Sequence, residues 1–188
     1  MRGAALAMSV ALLGLTWVAA PGAQVVASGA GAALAPVSSG VWFTDSAGRF
    51  RDRFPSRPEL QQLPGSLASM RFTLYLALVK KPQPLEVAAE RITPALPSSA
   101  RSTTMHAAVR SFGLSSGFTL SPGWDKPVEY RGHPARKATL SKGTLGTYTL
   151  LVFMPNGGEL YLLFAPRGAL FQQLAHDLIT LGPPTKHA

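Results

Sequence analysis

An Asn-Gly-Gly turn at residues 156–158 separates two apolar runs, residues 144–153 and 159–165. The Asn-Gly step suits a tight turn with positive φ, and such a turn joins two strands that run antiparallel. The C-terminal half of the chain is therefore predicted to contain an antiparallel β-hairpin.

A further strand is indicated by the stretch AGRFRDRFPSRPEL, residues 47–60. Alternate residues of a strand face opposite sides of the sheet. One side carries Phe50, Asp52 and Phe54, and the other carries Arg49, Arg51 and Arg53. Because phenylalanine belongs in a core, the three arginines are predicted to line the solvated face of a half-buried strand that ends at Pro55.

Asp52 does not fit this pattern, because it places a carboxylate between two phenylalanines that face the core. A bare carboxylate is costly to bury. We therefore expect Asp52 to lie near the rim of the core or to pair with a cation.

The other segments give strand and helix signals in turn. Residues 69–79 alternate as a long strand does, and Pro84 suits the first turn of a helix. The apolar face of that helix would consist of Leu85, Ala88, Ile92 and Leu96. Further helices are predicted at 102–112 and 168–181, and further strands at 118–120 and 134–140. This order predicts an α+β fold, an antiparallel sheet with helices packed on it.

The N-terminal residues have the pattern of a signal peptide. Arg2 precedes an uncharged, mainly apolar segment, residues 4–20, and small residues follow. Cleavage is expected after Ala27, with cleavage after Ala23 or an uncleaved membrane anchor as alternatives. The predicted organisation is a signal peptide (1–27), a linker (28–40), a single domain (41–182) and a C-terminal tail (183–188). The protein is thus expected in the periplasm or outside the cell.

The charge of the chain favours anionic partners. It has 18 basic and 9 acidic residues, a formal net charge of +9. The basic residues form no long run, and no nucleic-acid-binding motif accompanies them, so nucleic acid is an unlikely partner. There is no cysteine, and the exported chain must therefore be stable without disulfides.

Signals for catalysis or metal binding are weak. Residues 113–117 match G-x-S-x-G around Ser115, but a predicted helix precedes the motif and a strand follows, the reverse of a nucleophile elbow. The four histidines are scattered, so neither a metal nor a cofactor is expected. Glu86 and Glu90 lie one turn apart on the predicted helix, outside its apolar face, where solvated charge is the usual explanation.

Three stretches resemble the PsbP-like fold, which extrinsic proteins of photosystem II share with small secreted or lipid-anchored bacterial proteins. They are GRFRDRFP (48–55), YRGHPARKATL (130–140) and GGELYLLFAP (157–166). The resemblance implies a PsbP-like α+β domain and a binding or assembly role without catalytic residues. Lipid anchoring is not implied, because the chain lacks the cysteine that it requires.

The sequence therefore predicts a secreted, non-enzymatic binding or assembly module of the cell envelope. Its partner would be an unknown protein or an anionic envelope component, with membrane contact only if the leader is uncleaved. The candidate binding residues are Arg49, Arg51, Arg53 and Arg71. The alternative is a small hydrolase around Ser115 or His106, with Asp125 and Asp177 as candidate acids.

Overall fold

Antiparallel β-sheet makes up most of residues 40–67 and 69–181, which are the residues described by the computed structural model. The strands are β1 Val41–Asp45, β2 Phe50–Phe54, β3 Glu59–Leu67, β4 Met70–Val79, β5 Leu85–Thr93, β6 Thr119–Leu120, β7 Lys126–Tyr130, β8 His133–Ser141, β9 Thr147–Asn156, β10 Glu159–Pro166 and β11 Ile179–Thr180. The α-helices are α1 Ser98–Ser116 and α2 Ala169–Asp177. The predicted signal peptide (1–27), the predicted linker up to residue 39 and the predicted tail (183–188) lie outside the described residues.

The strands form two sheets. The large sheet has the order β3-β4-β5-β10-β9-β8-β6, with β7 also paired to β8, and the small sheet has the order β1-β2-β11. All the pairings are antiparallel, including β9 with β10 in the predicted hairpin. Strands account for 52% of the described residues, and helices, including a 3-10 helix at Gly143–Leu145, account for 22%. The prediction of an α+β fold is therefore wrong, because the fold is dominated by sheet.

The large sheet is covered on both faces. Helix α1 packs on one face, where Phe112 and Phe164 have ring centroids 4.8 Å apart. Helix α2 and the small sheet pack on the other face, and Phe50 and Phe54 are buried there as predicted. A strand buried on both faces is apolar at most of its positions and loses the alternation of apolar and polar residues.

Loss of that alternation explains why the helix predicted after Pro84 is wrong. Residues Leu85–Thr93 form β5, a central strand between β4 and β10. Its side chains alternate between the two cores, with Val87 on one face and Ala88 on the other. Apolar residues occur at helical spacing here because nearly every residue of the strand is buried. The spacing therefore does not indicate a helix.

Glu86 and Glu90 are buried on β5 and are not solvated as predicted. Glu86 lies directly opposite Leu78 on β4 and Phe164 on β10. Burial raises the pKa of each glutamate to about 7. Both side chains are therefore substantially protonated near neutral pH.

Asp52 is fully buried, so its predicted place at the rim is wrong. The charges of Arg131 and Arg53 act to lower its pKa, but Asp52 forms no ion pair among the described residues. Its Oδ1 accepts a hydrogen bond from the backbone N–H of Arg53 at 2.7 Å. Its Oδ2 is buried without a hydrogen-bond partner among the described residues. Burial raises its pKa to about 8, although the backbone hydrogen bond acts in the opposite direction. The carboxyl group is tolerated in the core because it is neutral.

The other predicted elements differ from the structure mainly at their ends. The long strand at 69–79 is confirmed as β4. The helix predicted at 102–112 is the middle of the longer α1, and the one predicted at 168–181 stops at Asp177, before β11. Strands β3 and β7 were not predicted.

Candidate ligand-binding site

The first two turns of α1 face the hairpin of β7 and β8 across a cavity of about 250 Å³. From the helix, Ser98, Arg101, Ser102 and Met105 line the cavity. Their spacing of i, i+3, i+4 and i+7 places them on one face of an α-helix. The cavity therefore lies where a mixed polar and apolar stripe of α1 meets the edge of the large sheet.

The wall of the cavity is mainly apolar. The apolar lining residues are Met105, Pro127, Val128, Pro134, Ala135 and Met154. They come from α1, β7, β8 and β9, and Val128 and Ala135 are directly opposite each other in the pair β7–β8. Rigid elements thus hold the wall, as is typical of sites for small molecules.

Arg136 is held in the wall by two hydrogen bonds. Its Nη1 donates to Asp125 Oδ2 at 3.1 Å, and its Nη2 donates to Ser102 Oγ at 3.0 Å. The Asp125 side chain is only 5% exposed. Because a guanidinium group has five N–H donors, Arg136 retains donors for a ligand while its position is fixed.

Arg101 is the second cation of the cavity. Its Nε is buried and has no hydrogen-bond partner among the described residues. The helix start beside it adds positive potential, because no side chain caps α1 at Pro97 and its first turn has no acidic residue. An unsatisfied buried donor is unfavourable, and an acceptor on a ligand would remove that cost.

His106 and Asp125 form a contact next to Arg136, outside the lining of the cavity. His106 Nδ1 contacts Asp125 Oδ2, the same oxygen that accepts from Arg136. The indole of Trp124 stacks on the His106 ring, with centroids 5.2 Å apart. These contacts tie the segment before β7 to α1.

The structure separates the other hydrolase candidates from this pair. Ser115 lies nine residues after His106 on the same helix, which is about 14 Å at 1.5 Å per residue, and its Oγ donates to the Phe112 carbonyl at 3.3 Å. Asp177 instead accepts a hydrogen bond from Arg53 Nε at 2.8 Å. Of the four residues, only His106 and Asp125 are in contact.

The four arginines predicted to bind a partner, Arg49, Arg51, Arg53 and Arg71, have different surroundings. Arg49 lies in the turn before β2, with φ of 57°, and its Nη1 is 2.5 Å from Glu159 Oε1. Arg53 pairs with Asp177, while Arg51 is exposed and its guanidinium carbon lies 4.6 Å from the ring centroid of Trp42. Arg71 is exposed on β4, in the large sheet. Arg51 and Arg53 do face away from the buried phenylalanines, as predicted.

Neither a metal site nor a membrane-spanning helix is present in the described residues. In residues 40–67 and 69–181, no group of three or more His, Cys, Asp or Glu side chains could hold a metal ion. No helix in the same part of the chain is long and apolar enough to cross a membrane.

The cavity was not predicted from the sequence, although one signal was present. The predicted helix began at residue 102, which left Ser98 and Arg101 in a loop. With the helix extended to Ser98, the stripe that includes Arg101 and Met105 becomes visible. The contribution of Arg136 depends on the pairing of β7 with β8, and β7 had no clear strand signal because Pro127 interrupts it.

Comparison with known proteins adds no relative. No protein-family model matches the chain, and neither a curated protein nor a solved structure shows significant similarity to it. The resemblance to PsbP-like proteins therefore remains a prediction from three short stretches of sequence.

Proposed function

We propose that this protein is an exported, non-enzymatic binding module of the cell envelope, and that its ligand is a small carboxylate with an apolar body. One observation carries this proposal: a cavity of about 250 Å³ combines a largely apolar wall with two arginines, Arg101 and Arg136. Export is inferred from the signal-peptide pattern of residues 1–27.

The size of the cavity limits the ligand. A volume of about 250 Å³ corresponds to roughly eight water-sized groups at about 30 Å³ each. Hexanoate has that number of non-hydrogen atoms.

The composition of the wall favours a single carboxylate over a phosphate. Arginine pairs well with either group. A phosphate dianion would require donors on several sides, and most of the wall is apolar, for example Met105 and Val128. A carboxylate places both of its oxygens at one end, where Arg101 and Arg136 can donate, and leaves its carbon chain against the apolar wall.

Calorimetric titration of the full-length protein with straight-chain carboxylates of increasing length tests the proposal. We expect affinity to rise with chain length to about six carbons and then to level off, because the cavity is filled. Hexan-1-ol should bind at least tenfold more weakly than hexanoate. Arg101→Gln should weaken hexanoate binding about tenfold, because a charged hydrogen bond contributes about 1.5–3 kcal/mol.

Arg110→Gln is the matched control, since Arg110 is exposed on the same helix and does not line the cavity. The control should bind hexanoate as the parent does. Equal affinity for the acid and the alcohol, or parental affinity in Arg101→Gln, would refute a carboxylate site here.

A hydrolase remains the second candidate function, because His106 contacts Asp125 beside the cavity. A histidine oriented by a carboxylate is the usual general base. A nucleophile would have to come from the substrate or from water, since Ser115 is bonded elsewhere on the helix. Hydrolysis of short p-nitrophenyl esters that disappears in His106→Ala, with hexanoate binding retained, would favour this function.

A further inference from the structure

We propose that the outer face of the small sheet docks on an anionic lipid bilayer. This outer face consists of Trp42, Thr44, Arg51, Arg53 and Ile179. It shares no residue with the cavity lining, so the inference is independent of the proposed ligand.

The register of the small sheet brings these side chains together. Trp42 on β1 is directly opposite Arg53 on β2. Arg51 is opposite Thr44 on one side and Ile179 of β11 on the other. Residues directly opposite each other in an antiparallel pair project from the same face of a sheet. The opposite face of β2 packs into the core through Phe50 and Phe54, so this face points outward.

The outer face combines exposed apolar groups with cations. Trp42 is 45% exposed and Ile179 is 43% exposed. The guanidinium carbon of Arg51 lies 4.6 Å from the ring centroid of Trp42, and that of Arg53 lies 5.8 Å from it. Tryptophan beside arginine is typical of membrane interfaces, where the ring lies at headgroup level and the cation meets lipid phosphate.

A bilayer fits this face better than an acidic polysaccharide does. Sugar rings bind by stacking on a free aromatic face, but Arg51 already lies over the Trp42 ring. The exposed Ile179 side chain would have little to bind on a hydrated polymer. In a bilayer this side chain and the exposed part of Trp42 gain from leaving water, at roughly 25 cal/mol per Å² of apolar surface.

The position of the N-terminal apolar segment gives a separate reason to expect docking on a bilayer. The described chain begins at Gly40, next to Trp42, and the apolar segment at 4–20 lies about 20 residues earlier in the sequence. A connection of about 20 residues spans at most roughly 70 Å, even when fully extended. If that segment were retained in the membrane, the end of the small sheet would be held near the lipid surface. The formal net charge of +9 would attract an anionic surface as well.

The absence of cysteine allows one environment-sensitive label to be placed at any chosen site. We would label Thr44→Cys on the outer face and, as the control, Thr103→Cys on α1, where Thr103 is exposed. Full-length protein would be mixed with vesicles of phosphatidylcholine, with or without about one third phosphatidylglycerol. The label at residue 44 should shift to shorter wavelength only with the anionic vesicles, and the shift should weaken as salt rises.

Variants then test which residues are responsible. Trp42→Ala together with Arg51→Gln should reduce the apparent vesicle affinity reported at residue 44 at least fivefold. Arg110→Gln removes one positive charge from α1 and should leave that affinity unchanged. Equal responses at residues 44 and 103, or no loss in the double variant, would contradict docking by this face. A response to polygalacturonate stronger than the response to anionic vesicles would overturn the choice of a bilayer.

Discussion

Arg51 and Arg53 lie two residues apart on β2, yet their guanidinium groups have different surroundings. Arg53 pairs with Asp177, whose side chain is only 8% exposed. Burial acts to raise the pKa of Asp177, but hydrogen bonds from His176 and Arg53 outweigh it and the pKa is lowered. Arg51 is exposed beside Trp42 and has no carboxylate partner among the described residues. The two arginines should therefore contribute differently to stability.

Replacing each arginine by glutamine tests this difference. Arg53→Gln should lower the free energy of unfolding by about 1–3 kcal/mol, because the largely buried Asp177 carboxylate loses a charged hydrogen-bond donor. Arg51→Gln should change it by less than about 0.5 kcal/mol, as is usual at exposed positions. Denaturant melts of both variants under one set of conditions give the comparison. Equal losses would mean that the pair Arg53–Asp177 does not contribute to stability.

The hairpin of β9 and β10 shows how one element depends on its neighbour. Its turn lies against the end of β5 and the segment that follows. Ile92 N–H, in β5, donates to the Gly158 carbonyl, and Leu96 N–H, after β5, donates to the Gly157 carbonyl. The expected positive φ is absent from Asn156, Gly157 and Gly158. Glycine is required at Gly157 for space instead, because a Cβ there would lie 2.0 Å from the Leu96 carbonyl oxygen.

Neighbouring glycines in this turn provide a matched pair of substitutions. Gly157→Ala should lower the free energy of unfolding by about 1–3 kcal/mol or more, since backbone atoms of Leu96 would have to move. Gly158→Ala should cost less than about 1 kcal/mol, because the nearest atom to its added Cβ is Asn156 Oδ1 at 3.4 Å. Thermal melts that show a larger loss for Gly158→Ala would contradict this packing.

At the level of elements, the sequence predicted the strands whose alternation or turn was clear and misread β5. The alternation in β2 and the hairpin of β9 with β10 were correctly identified. In β5, Glu86 and Glu90 resembled the polar face of a helix, and nothing local to the sequence shows that neighbouring strands bury them. Long-range pairing determines such a strand, and pairing is not visible in a single sequence.

On the scale of the whole molecule, three buried carboxyl groups couple stability to pH. The pKa rises from 3.8 to about 8 for Asp52 and from 4.5 to about 7 for Glu86 and Glu90, in each case mainly because of burial. The folded protein therefore keeps protons that the unfolded chain releases. Because the folded protein binds more protons than the unfolded chain, the free energy of unfolding is higher at acidic pH and decreases as pH rises towards 7–8.

We therefore expect the free energy of unfolding to fall between pH 5 and pH 8. Combining Glu86→Gln with Glu90→Gln should make the profile shallower, because glutamine is neutral throughout this range and only Asp52 still contributes. Glu129→Gln, at an exposed position on β7, should leave it unchanged. Urea melts at pH 5, 6, 7 and 8 measure the profile. Stability that rises with pH in the parent protein would show that these carboxyl groups are not buried as described.

The candidate site shows the same limit of prediction as the fold. From the sequence, His106 and Asp125 were candidate catalytic residues and the arginines of β2 were candidate binding residues. It did not connect Arg101 with Arg136, because one lies on α1 and the other on β8, and only the packing of the helix beside the β7–β8 hairpin forms the cavity. Arginine is common at surfaces, so its place in a site becomes evident only from its surroundings.

Methionine methyl resonances test the central claim, that the cavity binds a small carboxylate. Met105 and Met154 line the cavity, whereas Met70 is buried in the core and is not part of the lining. Titration of the protein with hexanoate should shift the Met105 and Met154 methyl signals along one saturation curve and leave Met70 unchanged. In Arg101→Gln the same curve should saturate at about tenfold higher concentration. Saturable binding of hexanoate that leaves both cavity methyl signals unmoved would contradict the account.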